Sequence, residues 1–465
     1  MVVRELSTAS FLMEFELILL GSLTLVYLVA LLYWAFLRDW VRGLNSSSFG
    51  QLRKFHSRVS SFGGVNLVGE GKFSFFRSVN VLVVIGSLLT FLLAIVGAYW
   101  LLSPDLNPAV DQGFSIPGPN ESTEKCNVFD GKWIPDESYP FYNASQCPFA
   151  ERGFNCLANG RKDQGYLKWR WKPKNCDLPR FDVQAVLKYL RGKRVVFVGD
   201  SLTRTQWESF ICMLMSGVDD KRFVYEVNGN TITKQIRFLN VRFDSYNFTV
   251  EFYRSVFLVL PTPAPKRAPK RVKWTLRLDT MDNAIGEWVD ADILIFNTGH
   301  WWTKTKLFET GTYFQVGQSL KLGMPVADAL RMALQTWASW VESSINLNRT
   351  QVFFRTFESS HWSGRTRNTC KVSQRPMLTT QGREKSSISD SIIKVVKSMS
   401  VPVTTLHVTP MGAYRSDAHV GTWGDNPSVP DCSHWCLPGL PDMWNEIVFS
   451  YLLHKDGISP QQTTN

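Results

Sequence analysis

The sequence predicts an α/β protein in which a parallel sheet is flanked by helices, preceded by a Cys-rich subdomain and two transmembrane helices. Two observations lead to this prediction. After residue 181, continuous apolar segments alternate with amphipathic helical patterns, which is typical of a parallel sheet that helices cover on both faces. Nearer the N terminus, two uncharged apolar stretches are each long enough to span a bilayer as a helix.

The two apolar stretches are residues 17–37 and 81–102, and neither contains Asp, Glu, Lys or Arg. We predict that both are transmembrane helices; a buried helix pair of a soluble fold is the alternative. Residues 38–80 carry seven Lys or Arg against two Asp or Glu, so the positive-inside rule places this loop in the cytosol. The short tail at residues 1–16 and everything after residue 102 are then predicted to face a lumen or the exterior.

The cysteines and sequons agree with that placement. All eight cysteines follow the second apolar stretch, and we predict four disulfides whose connectivity the sequence leaves open. The predicted disulfide cysteines are Cys126, Cys147, Cys156, Cys176, Cys212, Cys370, Cys432 and Cys436. Four N-x-S/T sequons in the same region are predicted glycosylation sites, namely Asn120, Asn143, Asn247 and Asn348.

Three segments make up the predicted lumenal part. Residues 103–124 are rich in Pro, Gly, Ser and Asn and predict a stalk. Residues 125–180 are rich in Cys, Trp and Pro with little periodicity, so we interpret them as a disulfide-tied subdomain rather than a separate core. Residues 181–455 contain the alternating helix and strand patterns of the main domain.

The first elements of the main domain have marked boundaries. A helix is predicted from residue 183 to residue 190, because Asp182 is a favoured N-cap and Gly192 ends the pattern. A strand follows at Arg194–Val198, and a second helix carries apolar residues from Trp207 to Leu214. Further predicted strands are Phe248–Val259, Ala291–Asn297, Thr350–Phe357 and Val403–Thr409, and further predicted helices are Val326–Val341, Ile388–Met399 and one that includes Trp444, Ile447, Val448 and Tyr451.

Ser201 stands where ligands bind in such sheets, just past the carboxyl end of a strand and at the start of a helix. Its hydroxyl is a candidate nucleophile, and its backbone N–H at the helix N terminus is a candidate donor to a developing oxyanion. The alternative is that Ser201 is only an N-cap, since serine is favoured there.

A serine nucleophile needs a base and a group that orients the base. Asp431 precedes His434 by three residues, and Cys432 and Cys436 flank His434, so two disulfides would hold the imidazole in place. A structural histidine and a Cys-His-Cys zinc site are the alternatives. We expect no metal, because an oxidising compartment removes the thiolates that zinc requires.

Four motifs, GDSLTRTQWES, FNTGHWW, TFESSHWSG and DCSHW, occur in the order found in plant trichome-birefringence-like proteins, and the segment from Cys126 to Leu453 resembles that family. Its members are polysaccharide O-acetyltransferases. The resemblance implies an SGNH/GDSL-hydrolase-like catalytic domain at residues 181–455, in a Golgi membrane protein whose catalytic domain is lumenal. It also implies a catalytic triad of Ser201, His434 and Asp431.

The resemblance implies a two-step transfer in which Ser201 takes an acetyl group from a donor and a sugar hydroxyl then accepts it. No bound cofactor is expected, but an acetyl donor of unknown identity is required. SGNH folds supply an asparagine from a comparable strand end, so Asn297 joins the Ser201 N–H as the predicted second oxyanion donor. The predicted substrate contacts are Arg204, His300, Trp301, Trp302 and His361.

The charge of the chain bears on its partners. The net charge is +11, of which +8 follows residue 102, and residues 263–274 hold the densest basic cluster. This favours an acidic polymer such as pectin, although a solvated basic loop is the alternative, and xylan, xyloglucan and mannan remain open as substrates. The membrane and a membrane protein that supplies the acetyl donor are the other partners considered, and the predicted compartment excludes nucleic acid.

Two other functions remain open at this point. The same triad would act as an acetyl esterase if water replaced the sugar, and no residue in the sequence separates the two outcomes. A non-catalytic protein that binds pectin and bridges wall polymers is the third interpretation.

Overall fold

The computed structural model describes Gly86, Thr90 and residues 126–364 and 369–454. The predicted tail, cytosolic loop and stalk lie outside the described residues, as do both predicted spans apart from Gly86 and Thr90. Within the described part of the chain, no helix has the length and apolarity needed to cross a membrane. The two transmembrane helices therefore stay predictions.

The described residues contain strands of two to eight residues and helices of four to nineteen. The strands are β1 (Gly131–Pro135), β2 (Trp169–Pro173), β3 (Arg194–Gly199), β4 (Val224–Glu226), β5 (Phe238–Phe243), β6 (Phe248–Arg254), β7 (Val259–Pro263), β8 (Trp274–Met281), β9 (Ile293–Asn297), β10 (Thr312–Val316), β11 (Ser319–Lys321), β12 (Gln351–Arg355), β13 (Trp362–Ser363), β14 (Thr369–Cys370), β15 (Thr404–Leu406), β16 (His419–Gly421) and β17 (Asp431–Trp435). The α-helices are α1 (Val183–Leu190), α2 (Ser201–Met215), α3 (Ile285–Trp288), α4 (Val326–Ser344), α5 (Ser387–Lys397), α6 (Thr409–Gly412) and α7 (Leu440–Leu453).

A seven-stranded sheet forms the centre of the domain, in the order β15-β12-β9-β3-β6-β5-β4. The first five strands are parallel, as the sequence predicts, whereas β5 and β4 extend one edge in antiparallel pairing. Numbered along the chain, the parallel strands follow the doubly wound order 2-1-3-4-5, which has its switch point between β3 and β9. Ser201 follows β3 and Asn297 ends β9, so both lie at this switch point.

The position of β3 between two apolar clusters explains why its residues from Val195 to Val198 are all apolar. Val195 and Phe197 belong to the apolar cluster on one side of the sheet, and Val196 and Val198 belong to the cluster on the other side. The first cluster includes α1, α2 and α7, and the second includes α4 and α5. The side chains from Val195 to Val198 are therefore all buried, which is the pattern of a parallel sheet covered on both faces.

The prediction of one strand over Phe248–Val259 is wrong. The chain leaves the central sheet after Arg254, turns at Leu258 with a φ of 62°, and starts β7 in a second sheet of order β11-β10-β8-β7. The Ser255 backbone N–H donates to Gly199 O at 3.0 Å and so ends the pairing with β3. The turn contains no glycine or proline. Its apolar residues Phe257 and Leu258 hold it in place by packing into the second apolar cluster.

The N-caps of the first two helices show whether Ser201 is a helix cap. Asp182 caps α1 as predicted, accepting from the backbone N–H groups of Gln184 and Ala185. Asp200 caps α2, and its carboxylate accepts from Leu202 N at 2.9 Å. Ser201 is the first residue of α2, so the interpretation of Ser201 as the N-cap is wrong.

The Cys-rich subdomain shares the core of the main domain, as predicted. Its β1–β2 hairpin and its buried residues belong to the same apolar cluster as α1, α2 and α7. All eight cysteines are paired, in the disulfides Cys126–Cys176, Cys147–Cys212, Cys156–Cys436 and Cys370–Cys432. The second and third of these join the subdomain to the main domain.

The sequons at Asn143, Asn247 and Asn348 are exposed, whereas Asn120 lies outside the described residues. Exposure is what a glycan requires, but glycosylation of these residues stays a prediction.

Two buried carboxyl groups also hold the subdomain against α7. Tyr139 donates its hydroxyl proton to Glu446 Oε1 at 2.8 Å, and Tyr142 donates to Asp442 Oδ1 at 3.0 Å. Burial raises the pKa of Glu446 to about 8 and that of Asp442 to about 6. Both groups therefore bind a proton more tightly in the folded chain than in the unfolded chain.

We expect the free energy of unfolding to fall as pH rises from about 7 to about 9, because Glu446 then loses its proton in the folded chain. Below about pH 7 the buried histidines, whose pKa burial lowers, act in the opposite direction. A raised pKa in the folded state stabilises below the unfolded pKa, and this stabilisation is lost as pH rises through the folded pKa. Urea denaturation from about pH 7 to about pH 9 measures the slope, and Glu446→Gln should flatten it. Glu137→Gln, at an exposed residue of the same subdomain, is the control and should leave the slope unchanged. A slope that rises with pH, or that Glu446→Gln leaves intact, would contradict the prediction.

Candidate active site

The turn after β3 positions Ser201. A Cβ at Gly199 would lie 2.6 Å from Asn297 O, so glycine is needed for the end of β3 to approach the end of β9 this closely. The cap by Asp200 then starts α2 at once, which leaves the Ser201 N–H among the helix N-terminal donors that have no acceptor within the helix. Strand, turn and helix together place the Ser201 hydroxyl at the carboxyl edge of the sheet.

The structure brings Ser201, His434 and Asp431 together, although Ser201 and His434 are 233 positions apart. Ser201 Oγ lies 2.7 Å from His434 Nε2, and His434 Nδ1 lies 2.6 Å from Asp431 Oδ2. Because Asp431 accepts the proton on Nδ1, Nε2 is free to accept the proton of Ser201. This is the geometry of a serine activated by an oriented general base.

The electrostatics of Asp431 favour its ionised form. Burial alone would raise its pKa, but His434 and the backbone N–H groups of Ser433 and His434, which donate to Oδ1 at 2.8 and 3.0 Å, hold the pKa well below its usual range. An ionised Asp431 stabilises the imidazolium that forms when His434 takes a proton.

His434 is held from several sides. It lies on β17, which pairs with β16, and the disulfides of Cys432 and Cys436 anchor the strand at two points. The ring of Phe154, from the Cys-rich subdomain, stacks on the His434 ring with centroids 5.5 Å apart. The zinc interpretation is wrong, because both flanking cysteines are in disulfides.

Two buried histidines lie behind His434. His419 Nδ1 is 2.9 Å from His434 O, His419 Nε2 is 2.7 Å from His361 Nδ1, and His361 Nε2 is 2.9 Å from Ala413 O. Burial lowers the pKa of His361 to about 4. The prediction of His361 as a substrate contact is wrong, because both of its ring nitrogens are engaged within the protein; it supports the backbone of β17.

Arg204 is also occupied. Its guanidinium is 3% exposed and pairs with Glu151 and, at 3.3 Å, with Glu208 Oε1. It lies 5.2 Å from the Phe154 ring centroid, beneath the ring that stacks on His434. Arg204 borders the cavity described below and supports Phe154, and its contact with a substrate stays a prediction.

The residues that follow Asn297, His300 to Trp302, are partly buried beneath the site and partly exposed to the cavity. His300 stays beneath the site, with Nε2 3.1 Å from Glu358 O, and Trp302 is buried and donates its indole N–H to Thr298 Oγ1 at 2.9 Å. The prediction of Trp302 as a substrate contact is wrong, because its indole N–H has its partner inside the protein. His300 Nδ1 has no hydrogen-bond partner among the described residues and lies 3.7 Å from Asp200 Oδ2. Trp301 is partly exposed and lines the cavity, and its contact with a substrate stays a prediction.

Asn297 is fully buried, and neither its Oδ1 nor its Nδ2 has a hydrogen-bond partner among the described residues. An unpaired buried amide costs about 1–3 kcal/mol, so such a group in a native protein needs an explanation. Its backbone O lies beside Gly199, which places Asn297 next to the turn that carries Ser201. The Asn297 amide is not part of the cavity wall described below, so its role as the second oxyanion donor stays a prediction.

A cavity of about 800 Å³ contains Ser201, His434 and Asp431 in its wall, and this volume suits a ligand of several rings. The sequence analysis missed part of the wall, namely Phe154, Arg254, Lys306 and Trp362. Two of these had a usable signal. Arg254 ends an apolar strand as Asn297 does, and Lys306 follows Trp301 by five residues.

The comparisons with known proteins agree with this site. Residues 178–451 match PC-Esterase, a GDSL/SGNH-like acyl-esterase family found in Pmr5 and Cas1p, and residues 124–177 match the PMR5 N-terminal domain. Protein trichome birefringence-like 7 of Arabidopsis thaliana is 57% identical over 410 residues, which cover 86% of this chain and 90% of that protein. The chain belongs to the trichome birefringence-like family.

Other members of the trichome birefringence-like family from the same plant are also similar. Protein trichome birefringence-like 6 is 43% identical over 351 residues, covering 73% of this chain and 74% of its own length. Protein trichome birefringence is 40% identical over 351 residues, covering 72% of this chain and 57% of its own length. The family match supports an SGNH-like domain and acyl-transfer or esterase chemistry.

Proposed function

We propose that this chain is an O-acetyltransferase that moves an acetyl group through Ser201 to a hydroxyl of a plant cell-wall polysaccharide. The observation that carries the proposal is the continuous contact from Ser201 through His434 to Asp431 in the wall of a large cavity. Membership of a family described as acyl-esterases supports acyl chemistry at this serine.

In the first step, Ser201 Oγ attacks the acetyl carbonyl carbon while His434 Nε2 takes the hydroxyl proton. The negative charge that develops on the carbonyl oxygen is stabilised by the Ser201 N–H and the Asn297 amide, and Asp431 stabilises the imidazolium. The bond to the donor then breaks, the donor's leaving group takes the proton from His434, and Ser201 carries the acetyl ester.

In the second step, His434 removes the proton of a sugar hydroxyl, whose oxygen attacks the ester carbonyl. The bond to Ser201 Oγ breaks and the serine regains its proton from His434. Trp301 and Trp362 line the same cavity as Ser201 and offer apolar ring faces to the sugar. A sugar held there would compete with water for the acetyl group, which is what a transferase requires.

Hydrolysis is the second candidate, because the matching family is described by its acyl-esterases. In an esterase, water takes the place of the sugar hydroxyl in the second step, and acetate leaves. The two functions share Ser201, His434 and Asp431 and differ only in the final acceptor.

The full chain treated with 4-nitrophenyl acetate tests the proposal. We expect mass spectrometry to find an acetyl group on the peptide that contains Ser201, and to find none there in Ser201→Ala. Ser343→Ala, at an exposed serine of α4, is the control and should keep the adduct. With xylan, xyloglucan, mannan or pectin fragments added, an acetylated product is expected.

Each other outcome favours a different function. Acetate release that no acceptor diverts would favour the esterase. Polymer binding without an adduct in any variant would overturn both enzyme functions and favour the non-catalytic pectin-binding protein.

We also propose that the catalytic domain acts in the Golgi lumen, anchored in the membrane by residues 17–37 and 81–102. Four disulfides that join distant parts of the chain fit an oxidising compartment. Protease treatment of sealed Golgi vesicles should leave the domain intact until the membrane is opened.

A further inference from the structure

Trp301 stands between two cavities. One is the cavity of about 800 Å³ that holds Ser201, and the other, of about 280 Å³, is lined by Arg237, Phe257 and Asp282. Trp301 and Arg254 line both. A chain of sugar rings that reaches the serine along this route would pass the indole of Trp301.

Cations surround this indole. Lys306 Nζ lies 4.8 Å from the Trp301 ring centroid, and Arg254 Cζ lies 5.6 Å from it. The backbone N–H of Arg254 donates to Arg237 O at 2.8 Å, which brings a third basic residue beside the same position. Burial, with repulsion by Arg237 and Arg204, lowers the pKa of Arg254, and Asp200 acts in the opposite direction from a distance.

The described residues place no carboxylate within 4.0 Å of the side chains of Arg254, Arg237 or Lys306. Among these residues the Arg254 guanidinium donates to Lys234 O, at 3.3 Å. The deeper arginines differ, since Arg204 pairs with two carboxylates and Arg355 pairs with Glu358. Cations that line a cavity without an acidic partner are suited to an anionic ligand.

The position of these cations relates them to the proposed nucleophile. Arg254 ends β6 in register with Gly199 of β3, two residues before Ser201. Trp301 follows β9, the neighbour of β3 on its other side. The basic group and Ser201 therefore belong to adjoining strand ends, where one ligand can reach both.

We propose that Arg254 and Lys306, supported by Arg237, bind the carboxylate of a uronic acid residue whose ring stacks on Trp301, so that the acceptor is an acidic polysaccharide. The inference rests on the proposed function and names its substrate class. Lys306 and Arg254 lie over the Trp301 ring, so a sugar that contacts the indole brings its carboxylate within reach of both cations. The competing anion is a phosphate of the acetyl donor, and the test separates the two.

The test measures binding by the full chain carrying Ser201→Ala, so that no turnover intervenes. Calorimetry compares trigalacturonate with its methyl ester, which has the same rings without charge. We expect Arg254→Gln and Lys306→Gln each to weaken trigalacturonate binding about tenfold and to leave binding of the ester unchanged. Lys270→Gln removes one charge from the exposed basic loop at 263–274 and should change neither.

Several results would overturn the inference. The first is equal binding of trigalacturonate and its methyl ester by the Ser201→Ala chain. The second is an equal loss of binding of both ligands in Arg254→Gln and Lys306→Gln. The third is that these two variants bind acetyl-coenzyme A more weakly but bind trigalacturonate as before, which would assign the cations to a phosphate of the donor. Lys306 is exposed, so its variant keeps the test valid if Arg254→Gln does not fold. If Ser201 carries an acetyl group but the chain does not bind trigalacturonate more tightly than its methyl ester, this inference alone is refuted. If the chain prefers trigalacturonate but Ser201 carries no acetyl group, the proposed function alone is refuted.

Discussion

Asp431→Asn is expected to lower kcat for acetyl transfer by about 10⁴-fold while the chain stays folded. The asparagine Oδ1 can still accept from the backbone N–H groups of Ser433 and His434, as Asp431 does. Its amide, however, would donate to His434 Nδ1, which moves the ring proton to Nε2. His434 would then face Ser201 with a proton and could not act as a base.

Initial rates of acetyl transfer and thermal melting of the two proteins check this prediction together. Asp425→Asn is the matched control, because Asp425 lines the same cavity but contacts Lys234 at 3.7 Å instead of His434. We expect Asp425→Asn to change kcat less than about tenfold, as a partly exposed ion pair contributes little. A loss below tenfold in Asp431→Asn would mean that His434 is oriented by other groups.

Replacing both Cys156 and Cys436 by alanine is expected to lower the free energy of unfolding by about 2–5 kcal/mol and to reduce kcat as well. The disulfide spans 280 residues, so the unfolded chain gains much freedom without it. It also joins β17, which carries His434, to the segment of Phe154, whose ring stacks on that histidine. Loss of the link should loosen the base relative to Ser201.

The disulfide Cys126–Cys176 provides the control, because it spans 50 residues within the Cys-rich subdomain and neither of its cysteines lies next to Phe154 or His434 in the chain. Its double alanine variant should be less stable, by urea denaturation, with kcat unchanged at a temperature where the chain stays folded. If both double variants lose kcat equally, the effect of Cys156–Cys436 on His434 is refuted.

Local patterns predicted the elements whose residues carry their own boundary signals. Helix α1 has an aspartate cap and a terminating glycine, and β3 is apolar from Val195 to Val198, so each was evident without knowledge of its neighbours. The end of β6 was not, because Leu258 turns with no glycine or proline and the turn depends on packing against a second sheet. The β16–β17 pair was also missed, since its strands are short and lie in a Cys-rich segment.

The site shows the same division. Ser201, His434 and Asp431 were found because their chemistry demands particular residue types at particular spacings. His361 was assigned to the substrate wrongly, since a sequence does not show that a polar side chain is buried with partners. Arg254 and Lys306 carry no motif, and only the folded chain shows that both approach Trp301.

The link between Cys156 and Cys436 has a consequence for biosynthesis. Ser201 emerges from the ribosome long before His434, so about the first nine-tenths of the polypeptide is made before β17 and α7 can complete the site. Oxidation of the late cysteine then locks the first and last parts of the product together. Chemistry at the serine is thereby reserved for chains that are fully translated and correctly oxidised, and prematurely terminated chains are left inert.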